Sequence, residues 1–278
     1  MHAVRPDRPD IAAPELPPRL RWSGETPGSM VEMTALGPVI VHFFDFAQLN
    51  SVRTLPYVAE WASRYREHGL TVVGVQTPRL TFAGGDDETR RGVERLGLGF
   101  PVALDSKRDL WLDYGCRGWP STFLWAQGGA LAWFHFGEGE YLATEAAIQE
   151  ELRSADVTRD LPSPMAPLRA TDRPGVVVLN PTAELFPATD RAWTATEDGP
   201  GIDVEYEGGG VFLTAAGGGT VEAQLDGEAL TPVVIAGAGL YPVAEHPAHE
   251  RHRVSLTLPD GVELWSVSFA PGVAPESG

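Results

Sequence analysis

The 278-residue sequence has a single cysteine, Cys116, and a single lysine, Lys107. One thiol excludes an intrachain disulfide, a C-x-x-C dithiol and any zinc site built on several cysteines, and with them an extracellular disulfide framework. Positive charge is scarce as well. Lys and Arg number 21 against 38 Asp and Glu, a formal net charge of −17, which argues against nucleic-acid backbones and anionic membrane surfaces, since both recruit cationic patches. No uncharged apolar run approaches the roughly 18 residues of a membrane span. The leading "MHAVRPDRPDIAAPELPPRL" shows neither the apolar core nor the small-residue cleavage site of a secretory signal. The compartment expected from these absences is the cytoplasm, provided that no leader has been removed.

Apolar residues make up 43% of the chain and aromatics 9%, enough for packed cores, and the length accommodates two ordinary domains. Charge is unevenly divided. Residues 174–278 hold 3 Arg and 15 Asp or Glu (3 − 15 = −12), whereas residues 1–173 hold 18 Lys or Arg and 23 Asp or Glu (18 − 23 = −5). Such asymmetry points to a domain boundary between them.

Residues 1–19 are Pro-rich and read as an extended or poorly ordered lead-in. Strand and helix patterns then alternate. Val39–Phe44 is an apolar run suited to a strand buried on both faces, and Asn50 to His68 carries a helical apolar face interrupted by Pro56 and stopped by Gly69. "LTVVGVQT", a helix over Asp86 to Leu96, "FPVALD", a short helix near Arg108–Tyr114, "STFLWA", "ALAWFHF" and a helix over Tyr141–Ser154 follow. The order is βαβαβαββα, an α/β domain over residues 20–155. Residues 156–174 contain four prolines and read as a linker. From 175 to 272 only short strand-like runs separated by Gly, Pro or Asp occur, as in "DVEYE", "GVFLTA" and "LWSVSFA"; the expectation is an all-β, jelly-roll-like sandwich without helix, followed by a 273–278 tail. The glycine runs "EGGGVFLTAAGGGT" and "IAGAGL" depart from phosphate-loop order and read as hairpin turns.

Four separated motifs occur in one order: "VIVHFFDFAQLNSVRTLPYVAEW", "RRGVERLGLGFPVALD", "YGCRGWPSTFLW" and "FHFGEGEYLATEAAIQEEL". Together they resemble the thioredoxin-like domain of the TlpA/DipZ type over residues 20–155, and the acidic β domain resembles the carbohydrate-module-like end of DipZ proteins. The membrane-embedded part of those proteins has no counterpart here. The resemblance places a redox pair at the start of the first long helix, where unpaired N–H groups and the helix dipole stabilise a thiolate. Those two positions are Gln48 and Ser51, neither of which forms a disulfide. Their expected use is polarity and capping, with Asn50 or Ser51 as the N-cap. The resemblance also makes Trp119-Pro120 the cis-proline site, a turn that either exposes an edge to a partner peptide or merely admits the next strand.

The reading that follows is a redox-inactive thioredoxin-fold protein with a binding or adaptor role toward a protein or peptide, needing no cofactor. One alternative is a thiol-dependent oxidoreductase or peroxidase using Cys116, whose neighbour Arg117 would favour thiolate; against it, lone thiols are usually small buried residues. Another is carbohydrate binding through the β domain, with Trp193, Tyr206, Tyr241 and Trp265 either stacking on a sugar or filling the core. His42 sits in the buried strand where related domains often hold an acid, and reads as a hydrogen-bonded core imidazole; Asp45 at the strand end is an acid or base by location alone. In "AEHPAHERH", His246, His249 and His252 with Glu245 and Glu250 have ligand chemistry for Zn or Ni. Ahead of a strand they need not converge, so a solvated loop without metal is expected there.

Overall fold

All six residues of Val39–Phe44 are buried, as a run of branched and aromatic side chains flanked on both faces requires. A computed structural model of the chain describes residues 11–82, 85–155, 158, 160–188 and 190–275. Residues 1–10 of the Pro-rich lead-in, positions 156, 157 and 159 of the linker, and 276–278 of the tail lie outside the described residues. The chain divides into two compact units, Met1–Ala166 and Pro167–Gly278, a division that falls within the Pro-rich stretch 156–174.

In the first unit the elements run β1 (Arg21–Ser23), α1 (Met30–Leu36), β2 (Val39–Phe44), α2 (Leu49–Tyr65), β3 (Thr71–Gln76), α3 (Gly85–Arg95), β4 (Val102–Leu104), α4 (Asp109–Asp113), β5 (Ser121–Trp125), β6 (Leu131–Phe136) and α5 (Tyr141–Ala155). From β2 onward this is the expected alternation; β1 and α1 are additions. Helix α1 starts on a capping box in which Ser29 and Glu32 satisfy each other's N–H groups. The strands form one sheet in the order β1-β4-β3-β2-β5-β6. Strands β2, β3 and β4 are parallel, while β5 and β6 return antiparallel on the other side of β2. The core gathers Val39, Val41, Phe43, Val73, Val75 and Phe123 among others.

Within the lead-in, read as extended or poorly ordered, residues 11–13 take the extended form. Ala13 N–H donates to Gly129 O at 2.9 Å, Leu131 N–H donates to Ile11 O at 2.9 Å, and Leu16 is buried. These bonds line residues 11–13 along the start of β6, an edge that would otherwise be open.

The second unit contains β7 (Val178–Leu179), α6 (Ala195–Asp198), β8 (Gly201–Leu225), β9 (Glu228–Ala229), β10 (Val233–Ala236), β11 (Gly239–Thr257), β12 (Val262–Ala270) and β13 (Gly272–Val273). It is strand-rich as expected, with a four-residue helix that the pattern did not show. The expected short strands "DVEYE" and "GVFLTA" are parts of one continuous strand of 25 residues, β8. Its glycines are not hairpin turns. A Cβ on Gly209 would lie 2.5 Å from Pro271 O and one on Gly217 2.0 Å from Gly261 O. Glycine is therefore needed where neighbouring backbone presses on a strand that must bend. Residues 239–257 of β11 run antiparallel in register to β8, with Gly239 opposite Ala215 and Thr257 opposite Gly201; Thr257 also lies opposite Glu222. Both ends of β8 thus flank the end of β11. A separate core of Val211, Leu213, Val254, Leu264, Val267 and Phe269 fills this unit.

Candidate functional site

Helix α2 opens directly beyond the buried end of β2, and its start is closed by bonds from within the chain. Gln48, in extended backbone, is the N-cap: its side-chain oxygen accepts the Ser51 N–H at 2.7 Å. The expected cap at Asn50 or Ser51 is therefore displaced by two or three residues. An amide oxygen reaches the third helical N–H as a shorter capping side chain would. Ser51 is fully buried, and its hydroxyl accepts the Asp45 N–H at 3.1 Å. Gln48 N–H in turn donates to Asp45 O at 3.1 Å. The two positions that the resemblance assigns to thiols are thus bonded to each other and back to the strand end.

Asp45 is buried and works as a bracket for this turn. One carboxylate oxygen accepts Ala47 N–H at 2.9 Å and the other accepts Arg79 N–H at 2.7 Å. Burial pushes its pKa up, and the two backbone N–H bonds oppose that shift. Gln76, at the end of β3, accepts Phe46 N–H at 2.8 Å. On the outer side Gly92 of α3 makes room for Phe46, since a Cβ there would lie 2.3 Å from the ring. Gln76 and Gly92 carried no sequence signal, because their use depends on neighbours brought together only by the sheet and its covering helices.

The Trp119-Pro120 peptide bond is cis, as the resemblance implies. Ser121, the next residue, lies opposite Phe43 in the β2–β5 ladder, so this turn meets the sheet at the strand ends from which α2 departs. Trp119 is held in place: its ring N–H donates to Thr77 O at 2.8 Å, its ring stacks on Trp111 at 5.2 Å between centroids, and the Arg108 guanidinium lies 5.6 Å from its centre. The Gly-Glu-Gly-Glu-Tyr motif has a structural use that the sequence did not reveal. Glu138 pairs with Arg53 at 2.7 Å with both side chains largely buried, and Tyr141 stacks on Tyr57 at 3.7 Å. Both contacts clamp the first turns of α2 to the β6–α5 connection.

Cys116 lies in the core, 5% exposed, and burial pushes its thiol up to about 12. Arg117 is exposed and does not offset that shift. His42 is fully buried; its Nδ1 is 2.9 Å from Thr122 Oγ1, its Nε2 has no hydrogen-bond partner among the described residues, and burial pushes its pKa down to about 3. It is a neutral core imidazole.

In the second unit Tyr206 is buried, while Trp193 and Tyr241 pack half-buried against the core; Trp193 donates to Gly199 O at 3.2 Å and the Tyr241 hydroxyl donates to Gly237 O at 2.7 Å. Trp265 is half-buried. The histidine segment is not a solvated loop. Residues 245–253 belong to β11, where Glu245 lies opposite Gly210 and Glu250 opposite Gly208. Five steps on one strand therefore face two on the other. The resulting bulge brings His246, Glu250 and His252 together, with one ligand atom from each within 4.8 Å of the others, and leaves His249 and Glu245 outside that group.

Strand order and the helix that opens directly beyond β2 define a thioredoxin-like domain. It is of the TlpA/DipZ type and lacks the C-x-x-C pair, followed by a strand-rich second unit. The chain is similar to the protein DipZ of Mycobacterium tuberculosis, 32% identical over 203 residues, which cover 72% of this chain and 27% of DipZ. That match is longer than the first unit, so it runs into the second. The chain thus spans about a quarter of the length of this relative. It is also similar to the thiol-disulfide oxidoreductase ResA of Halalkalibacterium halodurans, 30% identical over 100 residues, 35% of this chain and 51% of ResA. Among solved structures, a thiol-disulfide isomerase from Corynebacterium glutamicum aligns at a TM-score of 0.43 and 21% identity, covering 50% of this chain and 96% of that one. No protein-family model matches the chain. Among the described residues, no helix is long and apolar enough to cross a membrane.

Proposed function

We propose that this chain is a redox-inactive thioredoxin-fold protein that binds a protein or peptide at the strand ends shared by the Trp119-Pro120 turn and the start of α2. The observation that carries the reading is the Gln48–Ser51 hydrogen bond at 2.7 Å: a helix start that would activate a thiol is occupied by the Gln48 cap on Ser51 N–H. An amide is not a nucleophile, and the Ser51 hydroxyl is buried while accepting a backbone N–H. Around that start the scaffold is retained. Trp119 is fixed on Thr77 and Trp111, and Glu138 and Tyr141 grip α2 from the other side. A rigid turn at the strand ends, beside a helix start, offers a fixed surface for an extended peptide.

Two measurements test this. Insulin reduction and peroxide turnover by the wild type are expected to stay at background, and turnover that vanishes in Cys116→Ser overturns the redox-inactive reading. Affinity capture with the wild type and with Trp119→Ala, both verified as folded, is expected to differ. Undiminished capture by the variant removes these strand ends as the working surface.

A further inference from the structure

The strongest unassigned cluster lies in the second unit. Glu250 and His252 are two apart on β11 and project to one face of the sheet, and His252 lies opposite Tyr206 of β8. The bulge at 246–249 folds His246 back over them, with the His246 and His252 ring centroids 4.2 Å apart. Asp226, in the turn after β8, completes the group from the far side: its carboxylate is 2.7 Å from His252 Nδ1. His252 Nε2 is 3.2 Å from a Glu250 carboxylate oxygen.

Both nitrogens of one imidazole thus face carboxylates. A neutral ring has one N–H, so once Asp226 takes it, the Nε2 lone pair confronts the Glu250 oxygen. Two acceptors at that distance repel unless a proton or a metal cation lies between them. Several features favour the metal. A third donor, His246, stands within 4.8 Å of the other two, and a proton needs no third donor. Its Nε2 is 2.6 Å from the Tyr206 hydroxyl, a contact able to orient the ring. Asp226 on the far nitrogen of His252 makes the carboxylate–histidine pair that raises ligand basicity in metal sites. The surrounding unit is strongly acidic, so its field concentrates cations.

We propose that His246, Glu250 and His252 form a site for a divalent transition metal of the zinc type, with Asp226 and Tyr206 holding the two imidazoles. Two imidazoles and one carboxylate match zinc in donor type and number, leaving one position for water. Ligand atoms around a four-coordinate zinc lie roughly 3.4 Å apart, given bonds of about 2.1 Å. The His252–Glu250 separation of 3.2 Å already meets this.

The test is calorimetric titration of Zn²⁺ into the full, untagged chain after chelator treatment. The expected result is one equivalent bound by the wild type, lost in His252→Ala, weakened about 10- to 100-fold in Glu250→Gln and about tenfold in Asp226→Asn. His249→Ala, outside the cluster, is expected to bind as the wild type does. Zn²⁺ is also expected to raise the wild-type thermal midpoint by mass action, a readout that does not depend on any variant folding. No bound zinc and no thermal shift in the wild type would overturn the proposal. So would equal stoichiometry and affinity in a folded His252→Ala, or loss of the site in a folded His249→Ala.

Discussion

Gln48 and Ser51 are hydrogen-bonded to each other, the amide oxygen of one accepting the N–H of the other at 2.7 Å. The positions that a dithiol would occupy therefore contribute to helix stability. A capping side chain satisfies one of the first helical N–H groups that has no carbonyl partner in the preceding turn.

If that cap is what Gln48 provides, Gln48→Ala is expected to destabilise the first unit by about 1 kcal/mol, while Gln48→Asp, a good capping residue, retains most of it. Urea or thermal unfolding of the three proteins checks this. Equal midpoints for wild type and the alanine variant would show that Gln48 is not holding the helix start.

The same geometry predicts the outcome of restoring the thiols. Gln48→Cys combined with Ser51→Cys places a pair at C-x-x-C spacing on a helix N-terminus, where the dipole and N–H groups lower a thiol pKa. The double variant is expected to form a disulfide in air and to reduce insulin faster than the wild type. Thiol titration before and after oxidation measures the first. Failure to oxidise would mean that the bonds now tying Ser51 to Asp45 have reshaped this turn beyond use.

Burial of His42 sets a pH dependence. Its folded pKa, about 3, lies below the ordinary 6.5, so the unfolded chain takes up a proton that the folded chain refuses. The contribution to stability is complete above the ordinary value and is lost as pH falls from 6.5 toward 3, at a slope approaching about 1.4 kcal/mol per pH unit. His42→Gln is expected to flatten this part of the stability profile. Denaturant midpoints at pH 7, 5.5 and 4.5, taken as about those values, supply the comparison. Parallel profiles would contradict a buried neutral imidazole.

Cys116 is expected to be inert. With its pKa raised from 9.0 to about 12 by burial, its thiolate fraction at neutral pH falls on the order of a thousandfold. Ellman's reagent should react slowly with the folded chain and promptly in denaturant. Equal rates in both states would show an accessible thiol and revive single-cysteine chemistry.

The order of elements from β2 to α5 was legible because each element carries its own periodicity and its own stop: six buried residues in β2, an apolar face along α2, Gly69 after it. Strands β1 and helix α1 were not. Three residues of β1 have no period to read, and α1 depends on the reciprocal Ser29–Glu32 cap more than on a long apolar face. In the second unit the strand-rich character was legible, but glycines inside β8 imitate turns when seen in sequence. Only the backbone of Pro271 and Gly261 pressing on Gly209 and Gly217 shows why they are there.

The absences are written in the residues themselves. One cysteine excludes a dithiol whatever the fold, and Gln48 and Ser51 exclude it at the helix start. Tertiary structure decided what those residues do instead, since the Gln48 cap depends on how the chain turns out of β2. It also decided the fate of the histidines. Asp226 lies 26 residues before His252 and Tyr206 lies 40 before His246, and no local period links them. A bulge of β11 against β8 brings them together, because register between distant strands is set by the whole sheet.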